Sequence, residues 1–415
     1  MADGSMPKTT SPGLPYIQQK VRTKEEAWVQ HQQEILDMHT QIRRGHHVSM
    51  PDCAAFARNV VCPADTNKVR LVWAYPLAQV LLEAKYVQPL LNALTNQELG
   101  TSIAYGAETY RGGMKWLDKE LKSMPMQNYI CLDYSSFDQT VPAWLIRIAF
   151  DILEECFTDS FFLDTNGYRT TDPVAVEREW RQIRRYFIET PLRMEDGTRY
   201  RKTGGIPSGS CFTNIIDSIV NLIVTNYAIR ITTGAFPNWI TVLGDDSVTA
   251  TTGVVNLEDI AQVIKMQFGM TVNMKKSYWT ERWDNVQFLG YYNMHGFPIR
   301  KEEELLAAML LPDSAVDEEI GITGARFLGI AQASCGAHAR VAIVAEKLFY
   351  EMRLKGWEVT QDAHKLYHIK KAFGWLPAAG EEPEPLPTVR GLREAILPRE
   401  TCQKLVKGIT RVKMK

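Results

Sequence analysis

The twelve residues from Trp239 through Ala250 place the tightest demand on any fold for this chain. Trp239 to Leu243 and Ser247 to Ala250 are β-branched, apolar runs, and Gly244, Asp245 and Asp246 stand between them. That pattern reads as a β-hairpin whose tip carries two acids. Neighbouring side chains on extended backbone point to opposite faces, so both acids can serve one cation only across a sharp turn, and Gly244 supplies the freedom for it. An all-oxygen pair of this kind suits Mg²⁺, a hard ion. Gly-Asp-Asp alone arises by chance in about one chain in twenty of this length, as an ordinary polar turn. A chemical role therefore needs a third carboxylate and a cradle for phosphate elsewhere in the sequence.

With 415 residues, 45% of them hydrophobic, the chain can bury a large core and several subdomains. Its formal net charge of −1 sets up no global basic field, so nucleic acid has to be held by local channels of Lys and Arg. The seven cysteines (Cys53, Cys62, Cys131, Cys156, Cys211, Cys335, Cys402) are odd in number and never spaced Cys-x-x-Cys. This argues against a disulfide framework or a zinc ribbon and predicts reduced thiols in a cytoplasm-like compartment. The first residues show no signal pattern, and the most apolar stretch, Ile215 to Ile229, is interrupted by Asp217, Asn221 and Asn226, so no membrane span is predicted.

Thr23 to Glu26 reads as a capping box opening a helix that carries Trp28, Ile35, Met38 and Ile42 and stops near Gly45. From Asn67 to Pro76, alternation puts Lys68 and Arg70 on one face of a strand and Val69, Leu71 and Trp73 on the other. Two cations sharing a face are a solvated strand edge unless something anionic lies against them. Leu77 to Leu94 is helical, Gly100 to Gly113 a glycine-rich loop, and Met114 to Leu121 helical again. Tyr129 to Leu132 is a short apolar strand ending in Asp133, and Pro142 opens a helix with Leu145, Ile148, Ala149, Ile152 and Cys156 on one face. Asp133 and Asp138 thus stand between strand and helix. An acid ending a buried strand costs free energy unless it is paired or metal-bound; the plain alternatives are a loop acid for Asp133 and a helix cap for Asp138.

Asp172 and Pro173 start an Arg-rich helix, read as a solvated face, and a hairpin turning at Asp196 and Gly197 follows. Gly204 to Ser210 is a small-residue loop that runs into a helix starting near Thr213. Such a loop offers N–H groups and hydroxyls to an anion or a sugar, and Pro207 argues against a mere linker. Leu257 to Phe268 is an amphipathic helix, Met270 to Asn273 is extended, and Val286 to Tyr292 is a strand-like run. From Lys301 to Trp375 the period is helical, clearest over Glu346 to Leu354 and Gln361 to Phe373. His364 and His368 stand four apart, but no acid follows in a zinc-protease pattern, so packing is the reading for them. Pro377 to Pro387 forms an extended linker, and beyond Glu400 the tail carries Lys404, Lys407, Arg411, Lys413 and Lys415 without an acid.

In order, then, come cations on a strand, Asp133-Tyr134-Ser135-Ser136-Phe137-Asp138 before Pro142-Ala143-Trp144-Leu145, Gly205-Ile206-Pro207-Ser208-Gly209-Ser210-Cys211-Phe212-Thr213-Asn214, Leu243-Gly244-Asp245-Asp246-Ser247, and a lysine. This succession resembles the viral RNA-dependent RNA polymerases of double-stranded RNA viruses, most like those of partitiviruses and more distantly picobirnaviruses. The resemblance covers roughly Lys68 to Arg300. It implies an α/β (α+β) right-hand polymerase with fingers, a palm whose antiparallel sheet is flanked by helices, and a helical thumb. The implied division is 1–128 amino-terminal region and fingers, 129–156 palm, 157–203 fingers insertion, 204–300 palm, 301–376 thumb, and 377–415 linker and basic tail.

The resemblance also implies a two-metal site with Mg²⁺, or Mn²⁺, on Asp133, Asp245 and Asp246. It implies triphosphate binding by Lys68 and Arg70, ribose sensing by Asp138, and a sugar network of Ser208, Thr213 and Asn214 on a loop that Gly209 lets move. Lys276 matches a lysine that protonates departing pyrophosphate, with Lys275 as competitor. Many positive-strand RNA virus polymerases have Asn four residues after the Thr where this chain has Asp217, which leaves the sugar contact open between Asn214 and Asp217. The implied partners are RNA template and product, nucleoside triphosphates and a viral capsid protein, with no membrane, in the host cytoplasm and virion-associated. A reverse transcriptase is disfavoured by the acid at Asp138, where a bulky aromatic is usual. A non-catalytic RNA-packaging protein with a palm fold is disfavoured by the three intact acids, and a nucleotide cyclase has no use for the Arg70 strand or the Ser208 loop.

Overall fold

The computed structural model describes residues 8, 10–59, 62, 69–96, 102–107, 109–124, 126–157, 161–164, 167–311, 320–356 and 388–396. Lys68, His364, His368, the 377–387 linker and the basic tail beyond Glu400 lie outside them. After a 3-10 turn at Tyr16–Gln19 comes α1 (Lys24–Arg44), capped as expected: Thr23 Oγ1 accepts from the Glu26 N–H at 3.2 Å, and the Glu26 carboxylate accepts from the Arg22 N–H at 2.9 Å. Next come β1 (Cys53–Asn59), β2 (Val69–Ala74), α2 (Leu77–Asn96), α3 (Met114–Lys122), β3 (Asn128–Leu132), α4 (Phe137–Thr140) and α5 (Ala143–Glu154). These lead into β4 (Phe161–Asp164), β5 (Gly167–Thr170), α6 (Pro173–Ile188), β6 (Pro191–Arg193), β7 (Arg199–Arg201) and α7 (Thr213–Thr233). The hairpin strands β8 (Trp239–Leu243) and β9 (Asp246–Thr251) precede α8 (Leu257–Phe268) and β10 (Tyr278–Thr280). The remainder is β11 (Gln287–Phe288), β12 (Tyr291–Met294), β13 (Phe297–Ile299), α9 (Glu302–Leu310), α10 (Ile320–Ala333), α11 (Ala339–Leu354) and α12 (Val389–Ile396).

Two units result, one of Met1–Ala57, Leu71–Tyr105 and Ile130–Trp279, the other of Arg58–Arg70, Gly106–Tyr129 and Thr280–Lys415. One four-stranded sheet has the order β10-β3-β9-β8 and another the order β2-β1-β6-β7. β3 is an inner strand, between β10 and β9, and Tyr129 to Leu132 are all buried; successive side chains point to opposite faces, so both faces of the strand are covered and the run is apolar throughout. In the antiparallel β8–β9 pair, Trp239 faces Ala250 and Leu243 faces Asp246, so the turn is Gly244 and Asp245 alone and Asp246 already belongs to β9.

Within the first unit, helices pack around an aromatic cluster of Phe150, Trp180, Phe187 and Phe212, with ring centroids 5.1 to 5.7 Å apart. Three of these four pairs are edge-to-face, and such contacts contribute roughly 0.5–1.5 kcal/mol each beyond the area they bury. The cluster corrects the expected face of α5. Its buried residues are Leu145, Ile146, Ala149, Phe150 and Leu153, while Ile148, Ile152 and Cys156 are exposed. The larger Phe150 ring and Leu153 turn the helix toward the cluster. α7 is long and apolar enough to cross a membrane by length and composition, yet it serves as a core helix, with Ile215, Ile216, Val220, Val224 and Ala228 buried.

The second unit contains the sheet β11-β12-β13 and the helices α9, α10 and α11, which meet through Leu305, Met309, Phe327, Ala331, Val341 and Ala345. The expected single strand from Val286 to Tyr292 is two strands. Phe288 pairs with Tyr291, and Leu289 and Gly290 form the turn with φ of +53° and +77°, the double positive φ of a type I′ hairpin. α12 lies between the expected linker and the tail, and it was not anticipated.

Candidate active site

Asp133 follows the last residue of β3 and is half-buried. Its N–H donates to Ser277 Oγ at 2.9 Å, and its carbonyl accepts from the Asn273 N–H at 2.7 Å. One carboxylate oxygen accepts from Asn273 Nδ2 at 2.8 Å, and Lys276 Nζ stands 3.7 Å from the other. Lys276 is therefore the lysine whose ammonium faces this acid. The segment from Met270 to Ser277 holds Asp133 by backbone and side chain together.

The hairpin tip is fixed from α7. Gly244 has φ of +63°, and its N–H donates to Ser218 Oγ at 2.8 Å. Asn221 Nδ2 donates to the Gly244 carbonyl at 3.1 Å and to the Asp246 carbonyl at 3.3 Å, and Thr225 Oγ1 donates to Asn221 Oδ1 at 3.0 Å. Asp245 is exposed and Asp246 half-buried. Burial, then Asp245, then Asp133 push the Asp246 carboxyl up to about 7, with Lys276 opposing them. The hairpin acids and Asp133 thus share one electrostatic neighbourhood. The donor set is oxygen only, and crowded carboxylates are the repulsion a hard divalent cation relieves, so these residues fit Mg²⁺ or Mn²⁺. Among the described residues, no three acidic, His or Cys side chains are already gathered as a cation cage, and Asp133 is held by Asn273 and Lys276 instead.

Asp138 is exposed in the first turn of α4. Its carbonyl accepts from the Ile206 N–H at 2.6 Å, and the Gly205 N–H donates to the Val141 carbonyl at 2.7 Å, so backbone bonds tie the small-residue loop to this segment. Gly205, at φ +75°, has room for no Cβ, which would lie 2.7 Å from the Asp138 carbonyl. Exposed Ser208 accepts at Oγ from the Trp73 N–H at 3.3 Å, which places the loop against β2. Thr213 Oγ1 donates inside the loop, to the carbonyls of Pro207 (2.6 Å) and Ser210 (2.9 Å), so toward a ligand it can act only as an acceptor. Exposed Asn214 borders the hairpin: a Cβ on Gly244 would be 3.1 Å from its Nδ2. Asp217 is buried, and its Oδ1 lacks a hydrogen-bond partner. Burial raises its carboxyl well above the usual range, reinforced by Asp138 and Asp245.

Asp133, Asp138, Ser208, Gly209, Thr213, Asn214, Asp245, Asp246 and Lys276 all belong to the first unit. Arg70 is exposed on β2 at the end of a segment of the second unit, and Lys68 is outside the described residues. Sequence reasoning missed Asn273 and Ser277, and it treated Asn221 only as an interruption of an apolar stretch. The available signal was spacing, since Ser218, Asn221 and Thr225 recur at three and four residues and form a polar stripe on one face of an otherwise apolar helix.

It also missed Glu83. This fully buried residue of α2 accepts at Oε2 from Ser210 Oγ (2.7 Å) and the Cys211 N–H (2.8 Å), and at Oε1 from Gln79 Nε2 (3.0 Å). Burial pushes its carboxyl from 4.5 to about 7 despite those three donors. The folded protein therefore keeps a proton that the unfolded chain gives up. Stability from this group is fully present below pH 4.5 and is lost as pH rises to about 7, roughly 3 kcal/mol in all. Glu83→Gln cannot ionise, so denaturant titrations at pH 5, 6, 7 and 8 are expected to show a shallower decline in unfolding free energy than the parent's. Parallel curves would refute the assignment.

The Viral RNA-dependent RNA polymerase family profile matches residues 4–315. Over 85% of its length the chain is 30% identical to the RNA-directed RNA polymerase of Cryptosporidium parvum virus 1 (strain KSU-1), covering 67% of that protein. Over 72% of its length it is 28% identical to the RNA-directed RNA polymerase of White clover cryptic virus 1 (isolate Boccardo/2004), covering 51%. The chain thus spans about half to two-thirds of the length of these relatives. The crystal structure of the RNA-dependent RNA polymerase of a human picobirnavirus superposes with a TM-score of 0.57 at 20% identity, over 86% of this chain and 65% of that one, which shows a right-hand polymerase fold. With the hairpin acids coupled to Asp133 and the Ser208 loop tied to Asp138, the chain belongs to the viral RNA-dependent RNA polymerase family.

Proposed function

We propose that this chain catalyses template-directed RNA synthesis, joining a primer 3′-hydroxyl to the α-phosphate of a nucleoside triphosphate with release of pyrophosphate. The observation that carries the reading is the shared electrostatic neighbourhood of Asp133, Asp245 and Asp246, with Lys276 beside it. Divalent cations, Mg²⁺ or Mn²⁺, held by these acids would acidify the 3′-hydroxyl and neutralise charge on the triphosphate. Lys276 delivers a proton to departing pyrophosphate. Arg70 and Lys68 engage the triphosphate, for which the planar guanidinium fork is suited. Ser208, Thr213 and Asn214 line the sugar, Gly209 lets their loop adjust, and Asp138 accepts a hydrogen bond from the ribose 2′-hydroxyl. Fingers come from 1–128 and 157–203, palm from 129–156 and 204–300, and thumb from 301–376. On the likeness to polymerases of double-stranded RNA viruses, a capsid protein is the proposed partner and the virion in the host cytoplasm the site of action.

Single-nucleotide extension on a defined RNA template, with ribo- and deoxyribonucleotides in parallel, tests this. Ribonucleotide incorporation dependent on template and divalent cation is expected, and preference for deoxyribonucleotides would replace the reading with reverse transcription. Asp138→Ala is expected to reduce the preference for ribose about 10- to 100-fold, the value of one hydrogen bond to a charged acceptor. An unchanged ratio would remove Asp138 from sugar selection.

A further inference from the structure

The loop from Gly204 to Ser210 is fastened at both stems by ionisable side chains, the half-buried Lys202 and the fully buried Glu83, that touch none of the proposed metal ligands. At the first stem Lys202 Nζ donates to the Gly205 carbonyl and sits 5.2 Å from the centre of the Phe187 ring. At the second, Glu83 Oε2 takes both the Ser210 hydroxyl and the Cys211 N–H, while Ser210 Oγ in turn accepts from the Phe212 N–H at 3.0 Å. Between the stems Ser208 is exposed. The loop is therefore fixed at its ends and presented at its tip.

A carboxyl kept fully buried is a poor choice for packing alone, since an apolar side chain of similar volume would fill the same space without desolvating an ionisable group. What only an acceptor can do here is hold two donors of the loop at once. We infer that Glu83 is a positioning residue for nucleotide binding: anchored in α2, it sets the stem from which the loop presents Ser208 and on which Thr213 and Asn214 begin α7. The inference rests on the polymerase reading. Glu83 touches no nucleotide itself, and its effect is on the loop. Loss of the carboxyl frees the stem and leaves two donors without partners. An amide at the same position keeps both bonds, because Gln Oε1 replaces Oε2, and its Nε2 meets Gln79 once that side chain presents its otherwise unpartnered Oε1.

The test combines amide hydrogen exchange with steady-state incorporation for the parent, Glu83→Ala, Ser210→Ala and Glu83→Gln. Glu83→Ala is expected to speed exchange across 204–214 while leaving 239–251 as in the parent, and to raise the nucleotide KM about 10-fold or more with kcat changed far less. Ser210→Ala moves both readouts the same way by a smaller factor and serves if Glu83→Ala fails to fold. Glu83→Gln restores both. Unchanged loop exchange and KM in Glu83→Ala and Ser210→Ala would overturn the inference, as would faster exchange everywhere that Gln does not restore. If the parent incorporates no nucleotide, the polymerase reading falls, and loop exchange still decides whether Glu83 sets the stem.

Discussion

Asp245→Ala is expected to lower template-directed incorporation at saturating nucleotide by about 10³-fold or more, roughly 4 kcal/mol of barrier, without loss of the fold. The side chain is exposed at the second position of the turn, and the positive φ that shapes the turn belongs to Gly244. Ser218 and Asn221 grip the hairpin through the Gly244 N–H and the carbonyls of Gly244 and Asp246, all of which survive the substitution. Removing the Asp245 charge also relieves the repulsion that raises Asp246 and Asp217, so thermal unfolding should occur at or above the parent's temperature. Single-turnover extension with Mg²⁺ and with Mn²⁺, beside calorimetry, separates the two effects. Extension near the parent's rate would sink Asp245 as a metal ligand, and with it the central element of the proposed mechanism.

Gly209→Ala is expected to cost about 10²-fold in kcat/KM, the scale of a displacement of about 1 Å in a substrate-positioning group. A Cβ at Gly209 would lie 2.1 Å from the Trp73 carbonyl oxygen and 3.1 Å from Tyr75 Cδ1. Neither neighbour yields easily. The first is backbone of β2, and the second belongs to a buried ring whose hydroxyl is 3.0 Å from Thr190 Oγ1. The loop itself has to move, carrying Ser208 away from the Trp73 N–H. Gly204→Ala is the matched control. There the nearest atom is the Val141 carbonyl oxygen at 3.5 Å, an ordinary contact, and activity within about threefold of the parent is expected. Equal activity of the two variants would show that the approach of the loop to β2 does not position substrate.

The sequence made the hairpin, the strand ending in Asp133 and the loop before Thr213 legible, because period, turn residues and small-residue runs are local signals. The capping box at Thr23 and the cap at Asp172, whose side chain accepts from the Val174 N–H at 3.0 Å, were legible for the same reason. The buried face of α5 was not. A stripe through Ile148 and Ile152 is as apolar as one through Phe150 and Leu153, and only the meeting of Phe150 with Trp180, Phe187 and Phe212 chose between them. The turn at Leu289 and Gly290 was hidden by the apolar character of Leu289, which gives no hint of positive φ.

By itself the sequence determined which residues to propose for the chemistry, since acids on a turn, a small-residue loop before a helix and cations on a strand are local patterns that can be read whatever surrounds them. Tertiary structure alone decided how those residues are held. Asn273 reaches Asp133 across 140 residues, Glu83 reaches Ser210 across 127, and Asn221 grips the turn from 23 residues away. A hydrogen bond depends on distance and direction in space, and a buried donor or acceptor must be matched wherever the fold places it. No pattern along the chain records which partner that will be.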